Sequence, residues 1–110
     1  MSPQAQIATT IVSQLGGRAF VAMTGAKNFV AMSERGNIIG GVTFSLPRFP
    51  GVKVRRVAIT LNGSDLYDIV FFDAKFNSIG SAAGVYAEDL LDAIAEKTGL
   101  AVRMPRITFA

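Results

Sequence analysis

Residues 54–72 read VRRVAITLNGSDLYDIVFF, and the way this stretch folds decides the architecture. Asn62-Gly63 interrupts two runs rich in β-branched and aromatic residues, the pattern of a β-hairpin. The expected arms are about 54–61 and 66–73. On the first arm Val57, Ile59 and Leu61 share one face and Arg56, Ala58 and Thr60 the other. On the second arm Tyr67, Ile69 and Phe71 face one way, and Leu66, Val70 and Phe72 the other. A strand apolar on both faces fits a central position, or a sheet that dimerises through one face.

Working outward, residues 42–46 alternate Val42, Phe44 and Leu46 with Thr43 and Ser45, as a half-buried strand does. Pro47 and Pro50 bracket a loop, and the Gly-rich stretch 33–41 reads as a flexible loop. The four letters FVAM occur at 20–23 and 29–32 with TGAKN between them, which reads as a second hairpin with matching arms. Phe20 would face Met32 and Met23 would face Phe29, with Gly25 or Asn28 supplying a positive φ and Lys27 near the tip. TGAKN is no phosphate loop: that motif needs Ser or Thr after its Lys and a helix beyond.

Helices flank the strands. Ser2 as cap, Pro3 in the first turn, the stripe Ile7, Ile11, Val12 and Leu15, and the stop at Gly16-Gly17 mark the first. The stretch 81–100 forms the second, with Leu90, Leu91 and Ile94 on one side, Glu88 and Asp89 near its start, and Gly99 then Leu100 at its end. The tail 101–110 adds a short edge strand at most, because Pro105 bars a central one. The expected fold is α+β: one domain over 1–110 with an N-terminal helix, four antiparallel strands (five with the tail), and a C-terminal helix on one face of the sheet.

Composition narrows the chemistry. Half of the 110 residues are hydrophobic, enough for one core. The chain contains no Cys and no His, so disulfides, thiolate chemistry, zinc fingers and most catalytic triads drop out. Asp68 and Asp73 fall on opposite faces of a regular strand and make no acid–base pair. No catalytic set, metal site or cofactor is expected, and the protein reads as non-enzymatic. No run approaches the roughly 18 apolar residues of a membrane span, and the N-terminus lacks the pattern of a signal peptide. A cytoplasmic location follows as an expectation.

The net charge is +3, unevenly spread. Between residues 18 and 76 lie eight bases and four acids, whereas 86–98 carry four acids and one base. Such asymmetry fits a nucleic-acid surface or attraction between copies. Within the basic part, PRFPGVKVRRV places Arg48, Lys53, Arg55 and Arg56 close together with Phe49 among them. Bases beside a sheet contact phosphates while an aromatic ring stacks on a base. An ordinary solvated strand edge has the same composition.

The motifs QLGGxxFxxMTGAKNF, FSLP, ITLN, LYDxxF and GVYAEDL…TGL resemble a group of small, functionally uncharacterised proteins of bacteriophages and prophages, over about residues 12–100. The resemblance implies a phage protein working in a host cytoplasm. In topology alone, four antiparallel strands followed by a helix are similar to the single-stranded-DNA-binding fold of positive cofactor four and the Whirly proteins. That likeness implies a homodimer binding DNA along its sheet, and no individual contact residue carries over. The resulting expectation is a homo-oligomeric, single-stranded-DNA-binding protein using Lys27, Arg48, Phe49, Lys53, Arg55 and Arg56. The alternative is a protein-interaction module that binds a host protein or serves in an assembly.

Overall fold

In the computed structural model, which describes residues 3–36, 38–48 and 50–98, the decisive stretch forms the expected hairpin. Strands β3 (Arg56–Asn62) and β4 (Tyr67–Phe72) pair antiparallel, with Arg56 opposite Phe72 and Leu61 opposite Tyr67. The turn closes differently from a two-residue Asn-Gly turn. Its left-handed residue is Asp65 (φ 60°), and Asn62 Oδ1 accepts the N–H groups of Ser64 and Leu66 at 2.8 and 3.3 Å. Asn62 therefore acts through its side chain, and Asp65 takes the conformation that short polar residues tolerate.

Three further strands complete one antiparallel sheet in the order β1-β2-β3-β4-β5. These are β1 (Lys27–Met32), β2 (Ile38–Ser45) and β5 (Ser78–Val85). Helices α1 (Pro3–Leu15) and α2 (Arg18–Thr24) precede the sheet. A single 3₁₀ turn, Ala87–Asp89, leads into α3 (Leu90–Thr98). The fold is α+β, with its N-terminal helix, five strands and C-terminal helix. No helix among the described residues is long and apolar enough to cross a membrane.

One face of the sheet holds the core. Val42, Phe44, Val57, Ile59, Tyr67, Ile69 and Phe71 are buried there, together with Ile11 and Leu15 of α1 and Leu90 and Ile94 of α3. Phe44 is the centre of an aromatic cluster, edge-on to Phe20 with ring centroids 5.6 Å apart and tilted against Phe29 at 5.2 Å. Aromatic contacts of this geometry add to the stabilisation from area alone. Tyr67, though buried, keeps its hydroxyl satisfied by donating to Gln14 Oε1 at 2.7 Å. The opposite face carries Arg56, Thr60, Asp68, Val70 and Phe72, all half-buried.

Four local expectations are corrected. The first FVAM is helical: Phe20 and Thr24, four apart, are both buried, and Thr24 Oγ1 donates to the Phe20 carbonyl at 2.8 Å. Gly16 (φ 113°) and Gly17 (φ 56°) end α1 and redirect the chain, and Gly25 (φ 70°) caps α2 by donating to the Val21 carbonyl. Only the second FVAM is a strand, so the Phe20–Met32 and Met23–Phe29 pairs have no hairpin to form on. Lys27 is accordingly no hairpin tip; it opens β1 opposite Ser45, and Asn28 (φ 60°) lies in the register shift beyond it. Next, residues 38–41 belong to β2 rather than to a loop. There α1 crosses so closely that a Cβ on Gly40 would lie 2.9 Å from Ile7 Cδ1, and one on Gly41 would strike the Ile59 carbonyl oxygen. Last, residues 81–85 are strand, and helix α3 begins only at Leu90. Their backbone pairs with β4, and Gly84 (φ 64°) donates to Asp68 Oδ1 at 3.0 Å, a conformation no helix contains.

The fifth strand is thus Ser78–Val85. The tail 101–110, Ser2 and the helix end at Gly99 and Leu100 lie outside the described residues. Both edge strands carry register shifts, β1 between Lys27 and Val30 and β5 opposite both ends of β4.

Phe44→Ala should lower unfolding free energy by about 3–5 kcal/mol, as large-to-small core substitutions do. Val30→Ala, at a side chain 54 % exposed, should cost under about 1 kcal/mol. Urea denaturation followed by circular dichroism measures both.

Candidate nucleic-acid interface

In an antiparallel meander the starts of odd strands and the ends of even strands meet at one end of the sheet. Here that end collects Lys27 at the start of β1, Arg48 just after β2, Arg55 and Arg56 at the start of β3, and the β4–β5 turn. Lys27, Arg48, Arg55 and Arg56 line one cleft of about 420 Å³, together with Phe76 of that turn. A second cleft of about 810 Å³ is lined by Arg48, Lys53, Arg55, Asp73 and Lys75. The two share Arg48, Arg55, Asp73 and Ala74, so the clefts adjoin at this end of the sheet.

Five of the six residues expected from the sequence therefore line these two adjoining clefts, Lys27 and Arg56 the smaller, Lys53 the larger, and Arg48 and Arg55 both. Phe49 lies outside the described residues. Two of the bases are held in place. Arg55 Nε donates to the Leu46 carbonyl at 3.3 Å, and Arg56 Nη2 donates to Thr43 Oγ1 at 3.1 Å. Fixing the guanidinium groups in advance lowers the entropy lost on binding an anion.

Phe76 was not among the residues that the sequence pointed to. This side chain is 69 % exposed, and its backbone sits in the left-handed region at φ 63°. A bulky residue there is strained by an amount on the order of 1 kcal/mol or more. The Arg56 guanidinium lies 5.8 Å from the centre of its ring. The available signal was local: in DAKFN an aromatic residue sits inside a turn that Asp and Asn close.

Asp73 builds that turn. Its Oδ1 accepts the backbone N–H groups of Lys75 and Asn77, each at 2.9 Å, and Oδ2 takes a longer bond of 3.4 Å from Asn77 Nδ2. Phe76 N–H donates to the Asp73 carbonyl at 3.1 Å. The Asn77 backbone N–H is the main cause holding the Asp73 carboxyl below the usual carboxylate range. Partial desolvation opposes it, while the Lys75 backbone N–H, the Asn77 side chain and the Lys75 charge reinforce it.

Two other features bear on function. An apolar groove of about 740 Å³ runs between α1, α2 and β1, lined by Ala8, Val12, Val21, Phe29 and Ala31 with Arg18 beside them. Among the described residues, no group of three or more acidic, His or Cys side chains is placed to hold a metal ion. Comparison of the chain with protein-family models, curated proteins and solved structures found no match in any of the three.

Asp73→Ala should destabilise the protein most near neutral pH. A carboxyl whose pKa is lowered on folding stabilises the fold above its unfolded value and loses that contribution as pH falls through the native one. The gap between wild type and variant should therefore begin to narrow near pH about 4 and close below it. Urea titrations between pH 7 and pH 2 follow the gap.

Proposed function

We propose that the protein binds single-stranded nucleic acid, single-stranded DNA foremost, in the basic groove at the end of its sheet, and that it does so without enzymatic activity. The observation that carries this reading is Phe76, an exposed ring held in a strained backbone conformation among Lys27, Arg48, Arg55 and Arg56. The bases neutralise phosphates and release counterions, and the ring offers a stacking face to an unpaired base. Within a duplex the base faces are already stacked, so a protruding ring of this kind favours a single strand. Phe49, beside Arg48 in sequence, is a second stacking candidate.

The proposal includes a homo-oligomer, supported by half-buried Val70 and Phe72 and exposed Val30 on the sheet face opposite the core. Its setting is a phage protein in a host cytoplasm, on the strength of the TGAKNF and GVYAEDL motifs. A second reading, a protein-interaction module docking a host protein or an assembly partner, has the apolar groove between α1, α2 and β1 in its favour. Capture of a host protein that survives nuclease and high salt would favour that second reading.

Fluorescence anisotropy with a labelled single strand tests the first. Affinity should fall with salt at a logarithmic slope of about −3 to −4, from about five phosphate contacts. Phe76→Gly should weaken binding by about tenfold or more while leaving stability equal or higher, because the left-handed strain is relieved. Joint replacement of Arg55 and Arg56 by Glu should abolish binding. No binding at low salt, or full binding by that double variant, refutes the proposal.

A further inference from the structure

Phosphate binding alone does not call for a carboxylate in this groove. Asp73 is the single acid among the described residues lining its two clefts, where Lys27, Arg48, Lys53, Arg55, Arg56 and Lys75 supply the opposite charge. A carboxylate repels phosphate, so a strand lying here must keep its backbone on the Arg and Lys side chains and bring something else to Asp73. The adjacent group of a single strand is the edge of a base.

We propose that Asp73 reads that edge: Oδ2 accepts a hydrogen bond from the exocyclic amino group of a base, so the groove prefers cytosine and other amino-bearing bases to uracil and thymine. This rests on the single-strand reading above. An ionised carboxylate is an acceptor only. Oδ1 is already engaged by two backbone N–H groups, whereas Oδ2 has one long bond, from Asn77 Nδ2 at 3.4 Å, and keeps acceptor capacity. Cytosine presents an N4 amino donor where uracil and thymine present the O4 carbonyl. Against those two bases a carbonyl oxygen would face the carboxylate.

The turn supplies platform and reader together. Phe76 lies three residues beyond Asp73, its N–H bound to the Asp73 carbonyl, and the Asp73 N–H donates to the Asn77 carbonyl at 3.0 Å. Asp73 and Phe76 both line the smaller cleft, so a base stacked on the ring lies in the cleft that the carboxylate also lines.

Anisotropy with labelled oligo-dC and oligo-dU of about twenty nucleotides, at pH 7.5 and one fixed salt concentration, tests the inference. Wild type should bind oligo-dC about fivefold more tightly than oligo-dU. D73N keeps an oxygen for the two backbone N–H groups and puts an NH₂ donor in place of Oδ2. The preference should then vanish or invert toward oligo-dU. The wild-type comparison stands without any variant, so a misfolded D73N leaves the inference falsifiable. Equal wild-type affinities, or an unchanged ratio in folded D73N, overturn base reading and leave single-strand binding intact. Failure to bind either oligomer at low salt overturns both.

Discussion

The register of β3 against β4 is the constraint on which the rest of the structure depends. With Arg56 opposite Phe72, the side chains of Val57, Ile59, Ile69 and Phe71 enter the core and Arg56 stays on the other face. A slip of one residue would exchange the faces, burying Arg56 and exposing Val57. The hydrophobic free energy of the core thus also aims a guanidinium at the groove. The Asn62 side chain, which ties the turn to Ser64 and Leu66, helps hold that register from the far end.

The parts of the fold legible in the sequence are those where local and tertiary preferences agree. The hairpin at Asn62, the alternation of Val42 and Phe44, and the Ile11/Leu15 stripe all had strong local patterns, and all are found. The missed elements are those in which tertiary contacts decide. Phe-Val-Ala-Met suits a helix or a strand, and burial of Phe20 with Thr24 selects the helix once and not the second time. Ser81, Ala82 and Ala83 have no strand signature; pairing with β4 makes them one. Gly40 and Gly41 looked like loop residues because their reason, the close approach of α1 and of the β3 backbone, lies far away in sequence.

The same division holds for the site. Arg48, Lys53, Arg55 and Arg56 were visible as a cluster because they are neighbours in the chain. Lys27 and Phe76 join them only through strand order, about twenty or more residues away on either side. Apolar composition also hid Phe76, since a phenylalanine is usually a core residue. Its positive φ is a property of the folded turn, set by the Asp73 side chain on Lys75 and Asn77. This end of the sheet therefore combines backbone strain and an exposed ring at Phe76, both unfavourable on their own terms, with a carboxylate at Asp73 that holds the turn in place. Functional sites concentrate such features because rigid surroundings sustain them.

The irregular edges of the sheet have a consequence for edge-to-edge pairing. An uninterrupted edge strand is an open template, and joining one copy leaves another edge free, so addition has no natural end. Here β1 is broken by the left-handed Asn28, and β5 is out of step with β4 near both ends, so neither rim offers a regular ladder. Two copies meeting through the half-buried sheet face would be self-complementary and would close on themselves as a pair. The irregular rims thus discourage open-ended strand addition, and in the pair proposed above the basic end of each sheet would stand at a fixed distance from its counterpart.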